Sequence, residues 1–205
     1  MIRPTAPGDR AVFLDKDGTL IDDVPYNVDP ALIRLAAGAP EGLRSLHEAG
    51  FRLIVVSNQS GVARGLFPEG ALGPVRARVE ELLAEAGVTL SGFSYCPHHP
   101  GGSVPGYAER CDCRKPRPGM LLEAARAMGI DLGRSWLVGD ILDDVEAGRL
   151  AGCRTVLIDN GNETEWDLTP GRQPHHRAAD LSEAARVILG DDLGPIRTRP
   201  PEDLP

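Results

Sequence analysis

Apolar, β-rich runs alternate with helix-like segments from residue 11 to about residue 190, and this alternation leaves the chain few architectures. The runs are 11–14, 52–57, 93–96, 135–139 and 154–158. Helix-like segments lie at roughly 39–49, 71–87, 118–128, 143–151 and 181–190. In the second of these, Val75, Val79, Leu82, Leu83 and Ala86 share one helical face. Gly50, Gly87, Gly129 and Gly152 stand where helices should stop. Strands alternating with helices predict an α/β fold with a mostly parallel sheet covered on both faces. A chain of 205 residues is most simply one domain with a sizeable core, here 1–190. Residues 191–205 are Pro-rich and acidic, without an apolar pattern, and read as a disordered tail.

A net charge of −8 argues against a nucleic-acid partner. No 18-residue apolar run is present, so no membrane-spanning helix is expected. The first ten residues contain two prolines and no apolar core, which argues against a signal peptide, and a cytoplasmic location is the default expectation. No feature points to an extensive subunit interface, so a monomer is expected, with a homodimer left open. Of 22 basic residues only Lys16 and Lys115 are lysine. A lysine kept among so many arginines suggests a place where a compact ammonium is needed.

Three of the apolar runs end in chemistry. The first gives Asp15-Lys16-Asp17-Gly18-Thr19. A strand ending there delivers Asp15 at its carboxyl tip, the ligand end of an open α/β sheet. Alternation would place Asp15 and Asp17 on one side and turn Lys16 away. Two such carboxylates can bind a hard cation, attack phosphorus or move protons. The second run breaks into Ser57-Asn58-Gln59-Ser60-Gly61, where a hydroxyl and turn N–H groups can cradle an anion, with Arg64 adding a charged fork; Ser57 and Asn58 would equally cap a helix. A later run ends in Gly139-Asp140, with Asp143 and Asp144 opening the next helix. Asp140 can complete a Mg²⁺ site with Asp15 and the main-chain carbonyl of Asp17. Asp143 is expected to cap the helix, leaving Asp144 to orient Lys115 or the water around the metal.

Arg114, Lys115 and Arg117 concentrate positive charge in an otherwise acidic chain, and Lys115 fits a phosphate ligand. Just before them, Cys111 and Cys113 join Cys96 and His98 in a set with the right chemistry for a closed tetrahedral Zn²⁺ site. His99 is the rival to His98. A four-ligand zinc would be structural, pinning the 97–112 loop. The 21–36 segment is long enough to act as a lid or binding loop. No insertion is large enough for a separate cap domain.

These motifs, in this order, resemble the haloacid dehalogenase superfamily, whose phosphatases carry D-x-D-G-T and use its first Asp as nucleophile. Within it, Asp15 to Thr19, Ser57 to Gly65, Cys96-Pro97-His98-His99-Pro100, Cys111 to Met120 and Val138-Gly139-Asp140 resemble the D-glycero-D-manno-heptose-1,7-bisphosphate 7-phosphatases and the related histidinol-phosphate phosphatases. The resemblance implies a Rossmann-like three-layer sandwich without a large cap and with a zinc-stabilised loop. It implies catalytic Asp15 and Asp17, Mg²⁺ at Asp15, Asp17 and Asp140, and Zn²⁺ at Cys96, His98, Cys111 and Cys113. It also implies contacts to a small sugar phosphate from Asp23, Tyr26, Ser57, Asn58, Gln59, Ser60, Arg114 and Lys115. At one position the chain departs from the heptose branch: members usually have Gly-Asp-Lys where this chain has Gly139-Asp140-Ile141, and Ile141 cannot donate to a phosphate or sugar oxygen.

Overall fold

The computed structural model describes residues 8–192, and its centre is a strand of only four residues. This strand, β1 (Ala11–Leu14), is fully buried along its length. It pairs in parallel with β2 (Arg52–Asn58) on one side and β4 (Trp136–Gly139) on the other. With β3 (Gly92–Cys96), β5 (Arg154–Ile158) and β6 (His176–Ala178), these form one six-stranded parallel sheet in the order β3-β2-β1-β4-β5-β6.

Near-continuous apolar runs are what a strand covered on both faces requires. Alternate residues of β1 serve separate cores. Val12 and Leu14 pack with Leu53, Val55 and Val138 against α1 (Ala39–Glu48), α2 (Leu72–Glu85) and α5 (Leu181–Asp192). Ala11 and Phe13 pack with Ile54, Val56 and Leu137 against α3 (Gly119–Met128) and α4 (Leu142–Ala151). The result is the three-layer sandwich, with no second domain inserted among the described residues. In α2, Val75, Val79 and Leu83 are buried as the helical spacing predicts, and Leu82 lies at the margin of the same core. Gly129 and Gly152 end α3 and α4 in the left-handed conformation. No helix among the described residues is long and apolar enough to cross a membrane.

Some elements differ from the sequence expectation. The edge strand β6 is three residues long with only Ala178 buried, so it offered no apolar run to recognise. The 21–36 segment is partly built into the core: Ile21 and Ile33 are buried, and Ile21 bridges Leu35. Residues 22–26 at its tip stand exposed, as do Asp29, Ala31, Leu32 and Arg34 further along. Helix α5 continues through Asp192; the remainder of the expected tail, 193–205, lies outside the described residues.

Strand order reverses direction at β1 and β4, where connections leave to opposite sides. The carboxyl tips of these strands therefore face a crevice, the usual ligand position in such sheets. Helix α4 packs close on the first half of β4 and β5 because Gly148 has no side chain; a Cβ there would lie 2.6 Å from Thr155 Cγ2 and 3.0 Å from Leu137 Cβ. Gly148→Val is expected to lower unfolding free energy in urea by about 1–3 kcal/mol, the usual cost of overpacking. An unchanged midpoint and slope would show that α4 can move away from the sheet freely.

Candidate active site and metal centre

Beyond Leu14 the chain leaves the strand, and the two acids of the first motif separate. The Asp15 N–H still donates to the Val138 carbonyl at 2.9 Å, which fixes Asp15 at the β1/β4 junction. Its carboxylate pairs with the Lys115 ammonium. The Asp17 carboxylate accepts from Gln59 Nε2 at 2.9 Å and pairs with Lys16. Lys16 thus does not turn away from Asp17, as strand alternation predicted. The turn in which Leu20 and Ile21 both donate to the Lys16 carbonyl ends the alternation, and Lys16 is only 2 % exposed. Gly18 makes this turn with φ +79°, and a Cβ there would strike the Asp140 carboxylate.

Lys115 is 1 % exposed and anchors the site. Its Nζ pairs with Asp15 and with Asp144 Oδ1 at 2.6 Å, and donates to the Val56 carbonyl at 2.8 Å. Its backbone is held by Asn58, whose amide donates to the Lys115 carbonyl and accepts the Lys115 N–H, both at 3.0 Å. Asn58, expected to contact substrate, uses both side-chain groups on this backbone. Ser57 is buried and accepts from Gln59 Nε2 at 2.8 Å. Asp140 is 4 % exposed and receives Asn162 Nδ2 at 2.7 Å and the Thr19 hydroxyl at 3.3 Å. Asp144 accepts the Ile141 N–H at 3.4 Å, so it, rather than the expected Asp143, serves the first turn of α4. Asp143 instead pairs with Arg172 at 2.7 Å. Leu142 N–H is taken by Glu163 at 2.6 Å.

Carboxylate oxygens of Asp15, Asp140 and Asp144 lie within 4.8 Å of one another. Burial pushes Asp15 up to about 7, with Lys115 partly opposing and Asp144 and Asp17 adding to the rise. Burial, then the charge of Asp15, pushes Asp140 up to about 7. Burial alone would pull Lys115 down, but Asp144 and Asp15 outweigh it and hold the ammonium charged. Three buried carboxylates against one ammonium leave excess negative charge, and hard oxygen donors suit a divalent cation. Lys115 is shared by Asp15 and Asp144, and each of the three carboxylates keeps lone pairs that could hold the cation.

The cysteine cluster forms a second centre. Sγ atoms of Cys96, Cys111 and Cys113 lie 3.0–3.4 Å apart, and His98 Nδ1 is 3.5 Å from Cys113 and 3.7 Å from Cys96. Three thiols and an imidazole suit Zn²⁺, and four protein donors leave no open position. His98 Nε2 faces Glu109 at 3.6 Å, the kind of carboxylate that orients a metal-binding imidazole. His99 lies apart from the thiols, accepting from Gly101 N at 2.9 Å and meeting Arg64 at 3.3 Å.

Two cavities lie along the loops that carry Asp17 and Lys115. One, about 210 Å³, is lined by Asp17, Asp23, Tyr26, Asn58, Gln59 and Ser60. The other, about 310 Å³, brings together His99, Arg110, Arg114, Lys115 and Arg117. The sequence reading missed Asn160, Asn162, Glu163 and Glu109. The first three follow the fifth apolar run as Asp159-Asn160-Gly161-Asn162-Glu163, a polar strand tip like the others, which could have revealed them.

A family model described as HAD-hyrolase-like matches residues 112–184. The chain is 43 % identical to D-glycero-beta-D-manno-heptose-1,7-bisphosphate 7-phosphatase of Photorhabdus laumondii, over 88 % of this chain and 97 % of that protein. It is 40 % identical to the protein of the same name from Escherichia coli, over 86 % and 93 % of the two chains. The crystal structure of D,D-heptose 1,7-bisphosphate phosphatase from B. bronchiseptica, complexed with magnesium and phosphate, superposes with a TM-score of 0.72 at 30 % identity, covering 88 % of this chain and 98 % of that one. With the parallel sheet and the strand-tip acids, these likenesses show that the chain belongs to the haloacid dehalogenase superfamily, in the family of the D-glycero-D-manno-heptose-1,7-bisphosphate 7-phosphatases.

Proposed function

We propose that this chain is a Mg²⁺-dependent phosphomonoester hydrolase that removes the primary 7-phosphate of D-glycero-D-manno-heptose 1,7-bisphosphate. The observation that carries the reading is Asp15, buried at the tip of the central strand between Lys115 and Asp140, in a chain with relatives of that name. The magnesium and phosphate of the B. bronchiseptica complex support the choice of cation and of reacting group.

In this reading Asp15 attacks phosphorus, the bond to the sugar oxygen breaks, and an aspartyl-phosphate forms. Asp17, oriented by Gln59 and Lys16, gives a proton to the departing sugar oxygen and then takes one from the water that hydrolyses the acyl phosphate. Lys115 and Ser57 stabilise charge on the equatorial oxygens, the main demand of phosphoryl transfer. Asp15, Asp140 and the main-chain carbonyl of Asp17 would hold Mg²⁺, which when bound offsets repulsion between carboxylate and phosphate. Arg114, whose buried Nη1 has no hydrogen-bond partner among the described residues, would bind the rest of the substrate, with Asp23 and Tyr26 in the other cavity. Ile141 contributes backbone groups here, its N–H to the Asp144 carboxylate and its carbonyl to the Asp144 N–H, so it adds no charge to sugar recognition.

The direct test is kcat/KM with Mg²⁺ on both anomers of the heptose bisphosphate, beside histidinol phosphate. A hundredfold preference for one heptose anomer is expected; a preference for histidinol phosphate would retain the chemistry and overturn the substrate. In the same assay Asp15→Asn should abolish turnover, and Asp17→Asn should slow it by about 10²–10⁴-fold.

Cation binding should depend on pH. Below about 7 the buried carboxyls of Asp15 and Asp140 hold protons that a cation must displace. Their raised values also mean that this pair stabilises the metal-free fold at low pH and that its contribution is lost as pH rises toward 7. The rise in Tm on adding Mg²⁺ is therefore expected to be larger at pH 8 than at pH 5.5. An equal rise at both would contradict the assignment.

Purified protein should carry about one zinc per chain. Cys111→Ser should lose that zinc and, because Lys115 follows Cys113 closely, most of its activity. Zinc-free wild-type protein with full stability would remove the cluster from the account.

A further inference from the structure

We propose that Asn162 is a positioning residue for the cation site and acts through Asp140; the inference rests on the cation reading above. After β5 the chain turns across the carboxyl end of the sheet, and three of its side chains each grip a different part of the site. Asn160 Nδ2 donates to the Gly18 carbonyl at 2.7 Å. Asn162 Nδ2 donates to Asp140 Oδ2 at 2.7 Å. Glu163 Oε2 accepts the Leu142 N–H at 2.6 Å. The turn after Asp15, the tip of β4 and the start of α4 are thereby tied to one short segment.

Asn162 is itself held, since its N–H donates to Asn160 Oδ1 at 3.2 Å. Close packing gives independent support. The same missing Cβ at Gly18 leaves the space in which the Asp140 carboxylate and the Asn162 amide meet. With Thr19 on Oδ1 and Asn162 on Oδ2, the plane of the Asp140 carboxylate is set from both ends. A carboxylate has about four lone-pair positions, so two donors leave the others for a cation. An amide is the suitable group because it donates without adding charge beside Asp15, Asp140 and Asp144. Arginine or lysine there would compete with the cation, and aspartate would add a fourth carboxylate.

Removing an outer partner of a metal ligand typically costs about 10–100-fold in affinity. Calorimetric titration of Mg²⁺ into full-length, zinc-loaded Asn162→Ala and Asn162→Ser should show weakening of that size against wild type. The Mg²⁺ concentration for half-maximal phosphatase activity should rise by the same factor, with kcat at saturating Mg²⁺ within a few-fold of wild type. A role confined to holding the loop would instead lower the Tm of the metal-free protein and leave Mg²⁺ affinity unchanged, and that result in both variants would overturn the proposal. Failure of the wild type itself to bind Mg²⁺ would overturn the cation site, and this role with it. Neither readout depends on which sugar phosphate is the substrate.

Discussion

Buried charge that is not balanced by the protein's own groups is the constraint on which the rest of this structure depends. Asp15, Asp140 and Asp144 converge at the tips of β1 and β4, and Lys115 is the ammonium among them. Burial first, and neighbouring carboxylates after it, disfavour the ionised forms of Asp15 and Asp140 and push both upward. The fold tolerates it by surrounding the carboxylates with donors: Lys115, Thr19, Asn162 and the Ile141 N–H. A site strained in this way is ready for a cation and an anion to arrive together.

Lys115 has to be delivered from a loop rather than from a strand, which explains the second metal centre. Loops lack the ladder that fixes strand tips. Here the loop is closed by the thiol–imidazole cluster, attached to the turn after β2 through Ser103 and Val104 on the Ala63 carbonyl, and held by Tyr107 on Glu69. Asn58 then fixes the backbone of Lys115 itself. Each of the chain's two lysines is buried against a carboxylate of the first motif, Lys16 on Asp17 and Lys115 on Asp15. A guanidinium is bulkier and more rigid than an ammonium, so the surrounding preference for arginine stops where space is smallest.

Much of this was legible in the sequence because strand tips concentrate both patterns, an apolar run and then a chemical group. The strands at 11–14 and 154–158 have the same bounds as their apolar runs, and the sandwich follows from the alternation. What the sequence hid was decided by tertiary contact. Lys16 left the expected side because the strand ended at Leu14 and the next residues formed a turn. Asp143 gave up capping because Arg172, distant in sequence, offered a better partner. β6 had no apolar run because an edge strand of three residues buries little. Asn162 sits in a polar strand tip that the sequence displays, but its partner, Asp140, is visible only in the fold.

The register of the central strand has an evolutionary consequence. Leu14 lies opposite both Val55 and Val138, so Asp15, the Val56 carbonyl and the Gly139-Asp140 tip end at one level. Inserting one residue into β1 would advance Asp15 by about 3.3 Å and turn its side chain to the opposite face. Either change breaks the pairing with Lys115. Lineages of this fold can therefore lengthen helices and loops at their amino-terminal side, but β1 and β4 are fixed rulers. Variation in chain length should accumulate away from these two strands, however far the rest of the sequence diverges.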